Sequence, residues 1–304
     1  MVKKILASLV LLGATFCTSS AFAQFQDNSF TYWYSPSFRE PDTNNGKNIM
    51  KNVIEFTHVD GGNKFGNNFL NIDMYHSNAG DPTASALTNT NPPTPEALQP
   101  AVGATEVYAV FRHDISLSKL TGKKLAFGPV KDVLATVGID LSTKNTTFAP
   151  GKKLPLAGVT FAVKVPKGFW DVSLLWDKEW DHNGYGGFNN PKIYDANGGV
   201  VFQSAMMVST AWNIPFKVAK VPLSFEGFGL LNTSKGPDGA GNPTKPETLL
   251  HPKLMYNFGK LIGEKHNWQI GAGYEYWEHK YGEDTKHNSG SIQNAPFAAL
   301  TIHL

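Results

Sequence analysis

The chain has 304 residues, of which 41% are hydrophobic, 12% aromatic and only 17% charged, with 29 Gly and 19 Pro. Soluble domains usually carry roughly 25% charge. Lys and Arg number 27 against 25 Asp and Glu. That balance excludes a nucleic-acid binder held by bulk charge, and the aromatic content excludes a disordered chain. Gly, Asn, Thr and aromatics are middling to poor helix formers, so a helical bundle is disfavoured as well.

The N-terminus has the form of a secretory signal. Lys3 and Lys4 precede an apolar run from Ile5 to Phe16, and Ala21-Phe22-Ala23 is an A-x-A cleavage site. The expected organisation is a signal peptide over 1–23 and a single barrel domain over 24–304. Cleavage would remove two Lys and the only Cys, Cys17, leaving acids and bases equal in number. An exported chain without cysteine has neither disulfides nor thiolate chemistry. No later window approaches the ~18 apolar residues of a membrane helix. The remaining classes are a periplasmic domain and an outer-membrane β-barrel.

Period-two alternation favours the barrel. Leu70, Ile72 and Met74 alternate with Asn71, Asp73 and Tyr75, and Val107, Ala109, Phe111 and Ile115 with Glu106, Tyr108, Arg112 and Asp114. Trp170, Val172, Leu174 and Trp176 alternate with Asp171, Ser173 and Asp177. Near the C-terminus, Trp268, Ile270, Ala272, Tyr274 and Tyr276 alternate with Gln269, Glu275 and Trp277. Such segments have two chemically different faces. Their length matches the ~9–11 residues of a tilted membrane strand.

Twelve strands are expected, over 30–39, 49–59, 66–77, 104–116, 127–142, 156–166, 169–180, 198–212, 222–231, 249–258, 267–281 and 293–303. The fold class is therefore all-β, an antiparallel transmembrane barrel. The odd-numbered connections are mostly the longer ones, among them the Pro-rich 78–103, which suits external loops. Tyr32-Trp33-Tyr34, Phe169-Trp170, Trp180, Trp212, Trp268 and Tyr281 lie near strand ends, as interfacial girdles do. Leu300, Ile302 and Leu304 alternate to the last residue, in the manner of a terminal strand read by barrel assembly machinery.

Residues 116–132 contain Ser118-Lys119-Leu120-Thr121, then Leu125-Ala126-Phe127-Gly128-Pro129 and Lys131. This stretch resembles the nucleoside-specific channel-forming outer-membrane porins (the Tsx family). So do Val53–Phe56 with Asn71–Tyr75, and the Trp-rich strand after Gly168. The resemblance covers about residues 30–190. It implies a monomeric twelve-stranded barrel with a narrow pore that passes nucleosides, and a surface that phage or colicins use as a receptor.

The polar phase of the strands supplies the candidate lumen residues. Arg112, Asp114, Glu106 and Tyr108 form one set, and Asp73 and Tyr75, with Glu55 beside them, a second. Asp171 and Asp177 form a third, and Glu275 and Trp277, with Tyr281, a fourth. A nucleoside needs apolar faces for its base and polar groups for its ribose hydroxyls. Arg112 taken alone suits a wall-bracing pair with an acid somewhat better than substrate contact. The expected partners are nucleosides or similar small polar solutes, and outer-membrane lipids. No cofactor, metal or nucleic acid is expected, and no enzyme motif is present. Ser209 with His279 or His303 is the one formal nucleophile–base pairing. The alternatives are a surface receptor or adhesin and a general small-solute pore.

Overall fold

The computed structural model describes residues 25–304, except 42, 64–65, 84–101, 147–150, 183–198, 240 and 264–266. The signal region and most of the Pro-rich connection lie outside the described residues. Twelve long strands form the barrel. They are β1 (Phe25–Phe38), β2 (Ile49–Asn63), β3 (Gly66–Ser77), β4 (Thr105–Ser116), β5 (Val130–Lys144), β6 (Gly151–Val163) and β7 (Phe169–Asp177), then β10 (Ala205–Val218), β11 (Val221–Asn232), β12 (Glu247–Asn257), β13 (Asn267–Glu278) and β14 (Ile292–His303). Each is antiparallel to its neighbours, and β1 pairs with β14, which closes the sheet and removes its edges. Two three-residue strands, β8 (Trp180–His182) and β9 (Gly199–Val201), form a small ribbon on the overhanging end of β6. One short helix, α1 (Leu117–Thr121), follows β4 and is capped by the Ser116 side chain. No helix among the described residues is long and apolar enough to cross a membrane.

The twelve expected strands correspond one to one with the barrel strands. Several boundaries differ: β1 and β6 start five residues earlier than expected, at Phe25 and Gly151, β2 runs on to Asn63, and β13 stops at Glu278. Residues 169–180 and 198–212 were each expected as one strand, but both break. The ladder between β6 and the following chain stops after Leu156↔Asp177 and resumes at Lys153↔Trp180. Pro155 lies in the gap, and its nitrogen has no proton to donate. Only its carbonyl contributes, accepting from Lys178 N at 3.2 Å.

The expected strand from 127 begins instead at Val130. Gly128 has φ +48° and precedes Pro129, and Phe127 and Val130 exchange backbone hydrogen bonds around them. The hairpin after β10 differs as well. This strand runs through Pro215 to Val218, beyond its last pairing with β7 at Asn213↔Phe169. Pro215 is therefore at a free edge, where its missing N–H costs nothing.

The outward face is apolar. Tyr32, Ile54, Met74, Trp176, Leu254 and Ile270 are between 48 and 55% exposed. Trp170 Nε1 donates to Thr210 at 3.0 Å near one end of the barrel, and Tyr32 and Tyr274 donate to Asn52 and Asn294 near the other. Aromatic rings with a polar tip in these positions form belts at the two edges of an apolar band. Trp33 and Tyr281, expected in such belts, are not there. Trp33 points into the lumen and is 2% exposed, and the Tyr281 hydroxyl reaches Glu40 at the barrel mouth.

Inside, two apolar patches face each other from opposite walls. One joins Trp33, Phe38, Ile49, Val53, Met255 and Phe297, with Tyr75 packed against it. The other joins Leu154, Leu156, Leu175 and Met207, with Leu230 against it. A barrel of this strand number leaves a narrow lumen once side chains fill it.

Candidate functional site in the barrel lumen

The first expected set lies on β4 and faces inward. Arg112 Nη1 donates to Asp140 Oδ1 at 2.5 Å and to the Phe111 carbonyl at 2.9 Å. The Tyr108 hydroxyl donates to the other oxygen of Asp140 at 3.1 Å. Asp140 on β5 thus holds both side chains as a brace between strands. Asp140 was missing from the expected residues, although it occupies the polar phase of its strand. Asp114 accepts from Thr136 at 2.6 Å, and hydroxyl contacts continue from Thr136 to Thr160 and Ser173. Asp171 lies within electrostatic reach of Asp114. Glu106 sits opposite Lys144 in register.

The adjoining wall, from β3 through β1 and β14 to β12, carries aromatic rings and carboxylates together. Trp33 packs on Phe38 at 5.4 Å, edge-on to Tyr75 at 5.9 Å and to His251 at 5.2 Å. His251 stacks between Phe228 and Phe297, with ring centres 5.0 and 4.5 Å away. Its Nδ1 lies 2.8 Å from Glu275, whose other oxygen accepts from Gln293 Nε2 at 2.5 Å. Tyr75 donates to Asp73 at 3.2 Å, and Asp73 is the register partner of Glu55. Lys253 Nζ lies 3.6 Å from Glu226. Asp73, Tyr75, Glu55 and Glu275 therefore belong to one region. Asp177 does not join them: it is fully buried near Glu179, on the other wall.

The end of the barrel reached by the longer connections is crossed by buried ion pairs. Lys51 bonds Glu40 and lies 3.6 Å from Asp81. Lys280 contacts Glu40 at 3.0 Å, and Lys144 contacts Asp81 at 2.8 Å. Across the mouth, Glu179 holds Lys235 at 2.5 Å and Lys152 at 3.6 Å. Trp277 extends this layer, donating to Glu247 at 2.6 Å with Lys280 Nζ 4.5 Å over its ring. Burial pushes the Glu40 carboxyl up, but the charges of Lys144, Lys280 and Lys51 outweigh it and hold it well below its ordinary range. The same contest, won by Lys152 and Lys235, holds Glu179 at about 2. Most of this network comes from connections, where no strand phase marks an inward residue.

Ser209 lies on β10, four strands round the wall from β14. His303 contacts Asp27 at 2.8 Å, and His279 contacts the Pro246 carbonyl at 2.9 Å. Neither imidazole is engaged with Ser209. Among the described residues, no group of three or more His, Cys, Asp or Glu is arranged to hold a metal ion.

A closed ladder, an apolar outer band with aromatic edges and a polar lumen together define a transmembrane β-barrel of the outer-membrane type. No family model and no curated protein matches the sequence. Solved structures of similar shape are the porin NanC, with TM-score 0.44 and 9% identity over 91% of this chain and 100% of that one. An outer-membrane channel from Pseudomonas putida F1 has TM-score 0.43 and 9% identity over 93% and 97% of the two chains. The translocator domain of the autotransporter NalP from Neisseria meningitidis has TM-score 0.39 and 12% identity over 99% and 97%. At these scores and identities the functional reading rests on the residues of this chain.

Proposed function

We propose that this chain is a passive outer-membrane channel for nucleosides or similar small polar solutes, exported by its N-terminal signal and acting as a monomer. The observation that carries the reading is the pairing of ring faces with hydrogen-bonding groups on one lumen wall. Phe228, 40% exposed and backed by His251, Phe297 and Trp33, offers a stacking surface, while Asp73, Tyr75, Glu55 and Glu275 offer acceptors and donors for hydroxyls. This is the combination that a base and a ribose need. Weak sites along a narrow path favour passage, because a solute must leave as readily as it enters. Arg112 acts mainly as a brace through Asp140, with Tyr108 beside it. Glu106, Asp114, Asp171 and Trp277 line the path without forming the central site, and Asp177 is buried near Glu179.

Liposome swelling with the reconstituted protein tests the reading. Adenosine and thymidine are expected to enter faster than sugars and amino acids of similar size, and Asp73→Ala to reduce that advantage. Equal entry of all solutes would leave a general pore. No entry at all would remove the channel reading and favour a surface receptor.

A further inference from the structure

The carboxylates of the middle lumen are not balanced. Glu55 and Asp73 face each other across the β2–β3 ladder. Glu226 projects from β11 beside Lys253 of β12. Glu55, Asp73 and Glu226 all lie within electrostatic reach of Lys253, which is the cation they share. Glu275 is within reach of Asp73 as well, with His251 as its own partner. Glu55, Glu226 and Glu275 outnumber Lys253 and His251, so the balance here is negative.

A second observation points to a ligand. Glu226 is only 9% exposed, yet its Oε1 has no hydrogen-bond partner. Asp73 Oδ1 is likewise buried without one. Buried carboxylate oxygens left unpartnered are costly, and a cation in the lumen beside them lowers that cost through its field. Arg112 on the adjoining strand does not compensate, since it is already committed to Asp140. Low-dielectric walls focus such a field and screening within the lumen is weak.

We infer that Glu55 and Glu226, gathered around Lys253, form a charge filter that makes the pore cation-selective. The inference rests on the channel reading above and adds the sign of the charge that passes. It implies that cationic solutes enter more readily than anionic ones of the same size.

The test is the zero-current potential of the purified protein in a planar bilayer under a KCl gradient. K⁺ is expected to permeate about tenfold more readily than Cl⁻, the low end of the enrichment a one-sign cleft produces. Glu226→Gln and Glu55→Gln are expected to lower that ratio, and Lys253→Met to raise it. Heat-modifiable gel mobility reports whether each variant forms the barrel, and the wild-type potential decides the sign even where a variant does not. Channels with no ion preference, or with anion preference, overturn the filter and leave the channel. Selectivity unchanged in folded Glu226→Gln and Glu55→Gln overturns the assignment to these residues. Absence of any conductance overturns the channel reading and the filter with it.

Discussion

Thr31 and Thr301 lie 270 positions apart, and their hydroxyls share a hydrogen bond of 2.9 Å on the inner face of the barrel. They are register partners across the β1–β14 seam. The bond ties the first strand to the last on the buried side, where water is scarce. Thr301→Val keeps the β-branched shape and leaves the Thr31 hydroxyl unpaired. The expected cost is about 1–3 kcal/mol, that of an unsatisfied buried polar group. Thermal unfolding followed by gel mobility checks it. Thr31→Val with Thr301→Val together is expected to recover part of the loss, because both partners are then apolar.

Trp33 is the centre of the larger apolar patch, touching Phe38, Tyr75, His251 and Phe297. Trp33→Ala is expected to destabilise the barrel by about 3–5 kcal/mol, as core Trp truncations do. The space it vacates opens onto the lumen. Single-channel conductance is therefore expected to rise while the unfolding temperature falls. Unchanged conductance in a folded variant would place the conducting path away from this wall.

Most of the strand order is legible because alternation separates two faces over long segments. The phase of β7 is readable, since Trp170, Val172, Leu174 and Trp176 are apolar and Asp171, Ser173 and Asp177 polar, although Leu175 is an apolar residue in the inward phase. The inward position of Trp33 is not legible, because Tyr32 and Tyr34 on either side are aromatic too. His251 shares a phase with Glu247 and Lys253, so its inward position was readable, but its stacking on Phe228 and Phe297 depends on strand pairing. Glu40 and Lys280 meet only because the barrel closes, and nothing local to either residue signals the other.

The two-residue turn between β10 and β11 explains another difference. Ala219 and Lys220 have φ of +47° and +74°. Two positive values match the primed turn that suits strand twist, a turn usually built from Asn-Gly. Ala and Lys give no such signal, so the sequence suggests a longer connection. Left-handed conformations cost non-glycine residues roughly 1–2 kcal/mol each. Ala219→Asn with Lys220→Gly is therefore expected to stabilise the barrel, raising the denaturant midpoint without altering the dependence on denaturant. A lower midpoint would mean that these side chains make compensating contacts.

The mouth network has a defined acid limit. Glu40 is buried, and its charge is favoured by Lys144, Lys280 and Lys51 despite the cost of desolvation. A carboxyl held below its unfolded value contributes stability above that value and loses it as pH falls through the folded one. The contribution of Glu40 is therefore complete near neutral pH, persists through the ordinary carboxylate range in part, and disappears only at strongly acidic pH. Glu40→Gln removes the charge and leaves Lys51 and Lys280 facing each other with one fewer counter-ion. The difference in unfolding temperature between wild type and Glu40→Gln is expected to be constant above about pH 5, beyond the ordinary Glu range, and to shrink steadily below it. A difference that instead grows on acidification would mean that the lysines, not the carboxylate, set the stability of the mouth.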